Sequence, residues 1–127
     1  MNKNECLIYE GNYYSVDWFF DEKGNSQAYD YFLKSSDVQK RRFLILVKKI
    51  ADFGVIFDKT KFRNEDDGIY AFKPQPDRYL CFFFSGKKII VTNGFRKKTD
   101  RLPVSEKATA LKNMYKYFES VNLNNHH

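Results

Sequence analysis

The chain has 127 residues, 43% hydrophobic and 18% aromatic, with only six glycines and three prolines. That supplies one core and excludes a linker-rich, fibrous or wholly disordered chain. A net charge of +6 favours a polyanionic partner: nucleic acid, an acidic protein or an anionic surface.

No apolar run approaches the ~20 residues of a membrane helix. The opening Met1-Asn2-Lys3-Asn4-Glu5 leads into no signal-peptide core, so a cytoplasmic location is expected, with no membrane partner. In chain order, Tyr14, Val16, Trp18 and Phe20 alternate as a strand over residues 13–20, and Lys23-Gly24-Asn25 breaks it. A short helix is predicted over residues 26–33, with Tyr29, Phe32 and Leu33 on one side. Ser36 and Gln39 have capping-box spacing and open a longer helix. Its stripe is Phe43, Leu46, Val47, Ile50 and Phe53, and Gly54 suits its end. Residues 55–68 read as a connecting loop closing on the turn Asp66-Asp67-Gly68.

Three strands follow, over residues 69–73, 78–84 and 88–95, separated by Pro74-Gln75-Pro76-Asp77 and Ser85-Gly86. Such short connections make antiparallel neighbours. Pro103 suits the first turn of a last helix with Val104, Ala108, Leu111, Tyr115 and Phe118 as its apolar stripe. The expected fold is α+β, in the order β-α-α-β-β-β-α. An antiparallel four-stranded twisted sheet carries an N-terminal helical hairpin and a C-terminal helix, with one sheet face partly open. One domain is expected over residues 1–127, with its core at about 13–121. His126 and His127 read as the remnant of a tag.

The densest cationic run is Arg96-Lys97-Lys98-Thr99-Asp100-Arg101, at a strand-to-helix junction where a helix N-terminus adds a favourable dipole. A solvated charge run is the alternative. Lys73 and Arg78 flank the turn at residues 74–77 and bring two more cations to one sheet edge. Arg suits bidentate phosphate binding and Lys acts as a movable point charge, while ion pairs with Asp77 and nearby acids are the plainer alternative. Lys59, Lys61 and Arg63 add charge on the preceding loop, as RNA contacts or as solvated side chains. Lys40-Arg41-Arg42 and Lys48-Lys49 read as the wet face of the long helix. Glu65-Asp66-Asp67 reads as a turn rather than a metal cage. Tyr70, Phe72, Tyr79 and Phe82 can stack on bases or fill a core. Cys81 reads as a buried, inert thiol.

With the two terminal histidines set aside, no Ser/His/Asp or Cys/His arrangement can be built, and neither metal nor cofactor is expected. A cation-rich surface can still cleave RNA, because the nucleophile belongs to the substrate. The ribose 2′-OH attacks the adjacent phosphorus, while the protein neutralises the phosphate and protonates the leaving 5′-oxygen. A lysine of lowered pKa or a tyrosine can exchange the protons.

Three stretches together carry a resemblance. They are Asp67-Gly68-Ile69-Tyr70-Ala71-Phe72-Lys73, Arg78-Tyr79-Leu80-Cys81-Phe82-Phe83-Phe84, and Gly94-Phe95-Arg96-Lys97-Lys98-Thr99-Asp100-Arg101-Leu102-Pro103. The chain resembles the phage Gp49-like, HigB-type branch of the RelE/ParE toxin superfamily. The resemblance implies the toxin of a type II toxin–antitoxin system that cuts mRNA on the ribosome, with a helix-turn-helix antitoxin of the HigA kind as cognate partner. It makes Lys73 and Arg78 the basic sheet residues and Arg96, Lys97 and Lys98 the basic C-terminal run. Lys73, Arg78, Lys97 and Lys98 are then the expected catalytic residues, with Lys59, Lys61, Arg63, Arg96 and Arg101 as RNA contacts. Two other functions remain open on this fold: a ParE-like toxin directed at gyrase, and a non-catalytic RNA- or protein-binding module.

Overall fold

A computed structural model describes residues 6–125. The terminal Met1–Glu5 stretch and the tag reading of His126 and His127 lie outside the described residues. Nine elements follow in order: β1 (Leu7–Glu10), β2 (Ser15–Trp18), α1 (Gln27–Lys34), α2 (Asp37–Phe53), β3 (Phe62–Asn64), β4 (Tyr70–Phe72), β5 (Asp77–Phe84), β6 (Lys88–Arg96) and α3 (Val104–Asn125). No helix among the described residues is long and apolar enough to cross a membrane.

The α+β class holds, but the expected four antiparallel strands are corrected to a six-stranded mixed sheet of order β1-β2-β6-β5-β4-β3. The two added strands are the edges. β1 has four residues and β3 three, and β3 lies inside the segment read as a loop. Elements that short show too few alternations to register as strands, and their pairing comes from neighbours distant in sequence. The mixed character arises where β2 runs parallel to β6, with Val16 opposite Ile89. The helices and the β3–β5 meander lie between those strands in sequence, so the chain reaches β6 by a long crossover, as parallel neighbours require.

Local signals place the elements. Ser36 Oγ accepts from Gln39 N–H, Gln39 Oε1 accepts from Ser36 N–H, and the capping box is complete. Gly54 closes α2 in the left-handed conformation, φ 86°. Ser85 (φ 54°) and Gly86 (φ 70°) turn β5 into β6 with successive left-handed residues, matching the twist of a hairpin.

Both sheet faces are covered, not one. Against α1 and α2 lie Val16, Trp18, Phe72, Tyr79, Cys81 and Val91, with Phe43 stacked on Tyr79 at 3.9 Å between ring centres. Against α3 lie Phe19, Ile69, Ala71, Leu80, Phe82 and Ile90. The stripe α3 turns to the sheet is Ala110, Leu111, Met114, Tyr117 and Phe118, so the expected phase needs correction: Val104, Ala108 and Tyr115 face solvent. Phe53 and Leu33 are likewise exposed rather than core.

Candidate functional site: a cationic crease at the end of β5 and β6

Alternation along β4 and β5 sorts the side chains between the two faces. Leu80 and Phe82 pack under α3, which puts Arg78 on that same face. Tyr79 and Cys81 point to the helical hairpin. Phe72 pairs with Tyr79, so one further step of the register sets Lys73 opposite Arg78. Beyond β6 the chain bends into α3, and Lys97 N–H donates to Pro76 O at 2.9 Å, tying the basic run to the β4–β5 turn. The result is a crease lined by Lys73, Arg78, Lys97, Lys98 and Arg101, with Glu65 on its wall. All four expected catalytic residues therefore meet in one place.

Arg78 is the most deeply set, 9% exposed, with Nη1 donating to Asp77 O at 2.9 Å. Burial works against its charge, opposed by Glu65, Asp100 and Asp77. Lys73 is half-buried. Its ammonium pKa is lowered from the ordinary lysine value, first by burial, then by Arg78, with Arg63 and Lys97 acting the same way and Glu65 against. Lys97 holds Asp100 at 2.7 Å, and that hydrogen bond keeps the carboxyl below its usual range. Arg101 is exposed at the mouth, beside the N-terminus of α3.

The other expected RNA contacts divide. Arg63 lies at the edge of an adjoining groove of about 630 Å³ that shares Glu65, Asp100, Arg101 and Leu102 with the crease. Its guanidinium stands 3.7 Å from Glu65. Lys59 lines a different groove beside α2, and the exposed Lys61 meets Lys73 only through the backbone, Lys73 N–H donating to Lys61 O at 2.7 Å. Arg96 is exposed outside the crease, near Tyr31, whose pKa is raised by burial and by its hydrogen bond to Asp77 with the Arg96 charge acting against them. It belongs to the run in sequence but leaves it in space, because neighbours on a strand point to opposite faces.

Glu65 is a site residue that its sequence context disguises as a turn acid. The turn is real: Asp66 (φ 72°), Asp67 (φ 58°) and Gly68 (φ 87°) are all left-handed. Glu65 N–H donates to Ile69 O at 2.8 Å, and its carboxylate is delivered among the cations. The strand spacing from Glu65 to Ala71 reveals this only once β3 is assigned. Tyr79, raised in pKa chiefly by burial, is core on the other face, away from the crease. Phe72 and Phe82 are also core, and burial raises the Cys81 thiol, in line with its inert reading.

Two buried polar arrangements hold the crease in shape. Asp77, fully buried, accepts from Tyr31 Oη and from Gln39 Nε2 at 3.1 and 3.0 Å, which fastens the β4–β5 turn to α1 and α2. Asn93, also buried, donates through Nδ2 to Glu106 Oε1 at 2.9 Å and fixes the first turns of α3 against β6.

Chemically, such a crease can bind one phosphate with Arg78, screen the charge with three lysines, and place an acid and a carboxylate on either side of it. A family model described as phage-derived protein Gp49-like (DUF891) matches residues 30–115, which run from within α1 to the middle of α3 and include every crease residue. No curated protein matches the chain.

Proposed function

The chain belongs to the phage-derived Gp49-like family (DUF891), a RelE/HigB-type toxin family, and from that premise we propose that it is a ribosome-dependent mRNA endoribonuclease of a type II toxin–antitoxin pair. The observation that carries the reading is the convergence of Lys73, Arg78 and Lys97 on one crease with Glu65 among them. In the reaction, Arg78 grips the non-bridging oxygens of the scissile phosphate, and Lys97 and Lys98 offset the charge that builds on it. Glu65 accepts the proton of the ribose 2′-OH as its oxygen bonds to phosphorus. Lys73, its proton loosened by burial and neighbouring cations, donates to the 5′-oxygen as the P–O5′ bond breaks. The products are a 2′,3′-cyclic phosphate and a free 5′-hydroxyl. A cognate antitoxin of the helix-turn-helix kind is the expected inhibitor.

The test supplies the purified chain to translating ribosomes and analyses the mRNA ends. Cyclic or 3′-phosphate ends are expected, with cleavage insensitive to chelator added at the chemical step. An mRNA carrying 2′-deoxyribose at the cut position should survive. Cleavage of that deoxy substrate would overturn the mechanism, and growth arrest with intact mRNA would move the target to gyrase or another protein.

A further inference from the structure

On the sheet face opposite the crease, the end of α2 leaves apolar surface uncovered. Phe57 is 87% exposed and Phe53 71%, and Val55 and Tyr13 stand out beside them. Of these, Val55 and Phe57 line a groove of about 720 Å³ together with Ile50, Ile56, Phe62, Tyr70 and Phe83. Two exposed phenylalanines so close in sequence, at a helix end and the loop after it, are not needed by the core, which is closed beneath them.

The groove runs along the free edge of the sheet. β3 is the last strand in the order, and its ladder to β4 is anchored through Lys61–Lys73 and Glu65–Ile69. Antiparallel pairing alternates, so Phe62 and Asn64 turn their backbone groups away from β4. Phe62 N–H is taken by Asp58 O, which leaves the Phe62 carbonyl and both Asn64 backbone groups facing outward. Cations rim the same edge. Lys49 and Lys61 both act on Asp58, and Lys59 and Arg63 line the groove itself. Of the acids beside them, Asp58 is turned in on Thr60, accepting from its N–H at 2.9 Å and its hydroxyl at 2.6 Å, and Glu65 stands 3.7 Å from Arg63.

We infer that this edge is a docking surface for an extended, acidic segment of a partner protein. The segment pairs as an added strand with Asn64, sets large apolar side chains at alternate positions into the groove, and turns its carboxylates to Lys49, Lys59, Lys61 and Arg63. The combination selects the occupant: a free strand edge gives affinity through the main chain, the groove reads alternate side chains, and the rim reads negative charge. The surface lies across the sheet from the crease, and the inference stands apart from the ribonuclease reading.

The probe is a short labelled peptide alternating glutamate with leucine and phenylalanine, followed by fluorescence anisotropy on the full chain. Three controls accompany it: the peptide with lysine for glutamate, the peptide with alternate backbone amides N-methylated, and the Val55→Ser, Phe57→Ser protein. Binding of the acidic peptide is expected, weaker by about tenfold or more in every control, a difference of ~1.4 kcal/mol. Hydrogen exchange should slow at the Asn64 amide on binding. Both substituted side chains are exposed, and an unchanged melting curve confirms the fold. No binding, or equal binding of the lysine or N-methylated peptide, overturns the inference. So does sedimentation showing two copies of the chain joined through this face.

Discussion

Gln27 and Gly94 join two parts of the chain through a pair of hydrogen bonds. Gln27 Nε2 donates to Gly94 O at 2.8 Å, and Gly94 N–H donates to Gln27 Oε1 at 2.7 Å. β2 ends at Trp18, opposite Val91, so β6 runs on without a strand on that side. The amide of Gln27 takes the missing strand's place. Gln27→Ala should cost about 1–3 kcal/mol, since it strands two backbone groups. Gly94→Ala should cost a similar ~1–3 kcal/mol by overpacking, because a Cβ there would lie 2.7 Å from the Tyr79 ring and 3.1 Å from that of Tyr31. Urea denaturation of both variants checks this, and a midpoint unchanged in Gln27→Ala would mean that water replaces the side chain at no cost.

On the proposed mechanism, Lys73 sets stability against activity. Its folded pKa lies below the 10.5 of an ordinary lysine, so between those two values the unfolded chain binds more protons. Stability therefore rises as pH rises through that window, and at neutral pH the charged Lys73 weakens the fold. Lys73→Met keeps most of the stem and removes the charge. It should raise the denaturation midpoint at pH 7 while mRNA cleavage falls ~100-fold or more, the usual scale for a lost proton donor. The wild-type rate should also begin to fall on the alkaline side at a lower pH than an ordinary lysine would set. A less stable Lys73→Met protein would show that the ammonium is better satisfied than its burial implies.

Asp100 holds Lys97 at 2.7 Å and, on the proposed reading, competes with RNA for it. The carboxylate is 98% exposed and the pair is a surface one, so Asp100→Asn should leave the melting temperature unchanged. It should tighten RNA binding by freeing a cation. Lys97→Ala with Lys98→Ala should abolish growth inhibition, again without unfolding. The slope of log RNA affinity against log salt should flatten by about 0.7 for each phosphate that the variant no longer neutralises. Equal salt slopes in wild type and double variant would remove both lysines from the phosphate path.

Tyr31 and Gln39 share the buried Asp77 carboxylate. A hydrogen bond to a charged group is worth about 1.5–3 kcal/mol, so Tyr31→Phe should destabilise by that amount. Its effect on cleavage should follow from the β4–β5 turn, which seats Lys73 and Arg78, and a high concentration of RNA should restore part of it. Wild-type stability in Tyr31→Phe would leave Gln39 as the sufficient partner.

Much of this arrangement is legible from local chemistry. Ser36, Gln39 and Gly54 mark α2 because caps act within one turn, and the β4–β6 meander follows from two tight turns. The cations of the crease are visible as residue types, and Lys73 and Arg78 as neighbours across a turn. Tertiary choices are not legible. The apolar residues of α3 form two overlapping stripes. Ala110 lets the helix approach closely, and Asn93–Glu106 with Lys107–Asp67 selects the rotation. β1 and β3 are too short to show a period, and without β3 nothing places Glu65 in the crease.

The parallel pairing of β2 with β6 also orders events during synthesis. Val16 must wait for Ile89, its partner across the sheet, and at ~5–20 residues per second that delay is several seconds. Until β6 emerges, β1 and β2 have no seat and β5 lacks its neighbour. The basic run that completes the crease is made later still. A nascent chain halted before residue 88 would carry Lys73 and Arg78 without the strand that aligns them. On the proposed ribonuclease reading, the chain is thus harmless to the ribosome that makes it for most of its own translation, and becomes dangerous only as its last strand is threaded in.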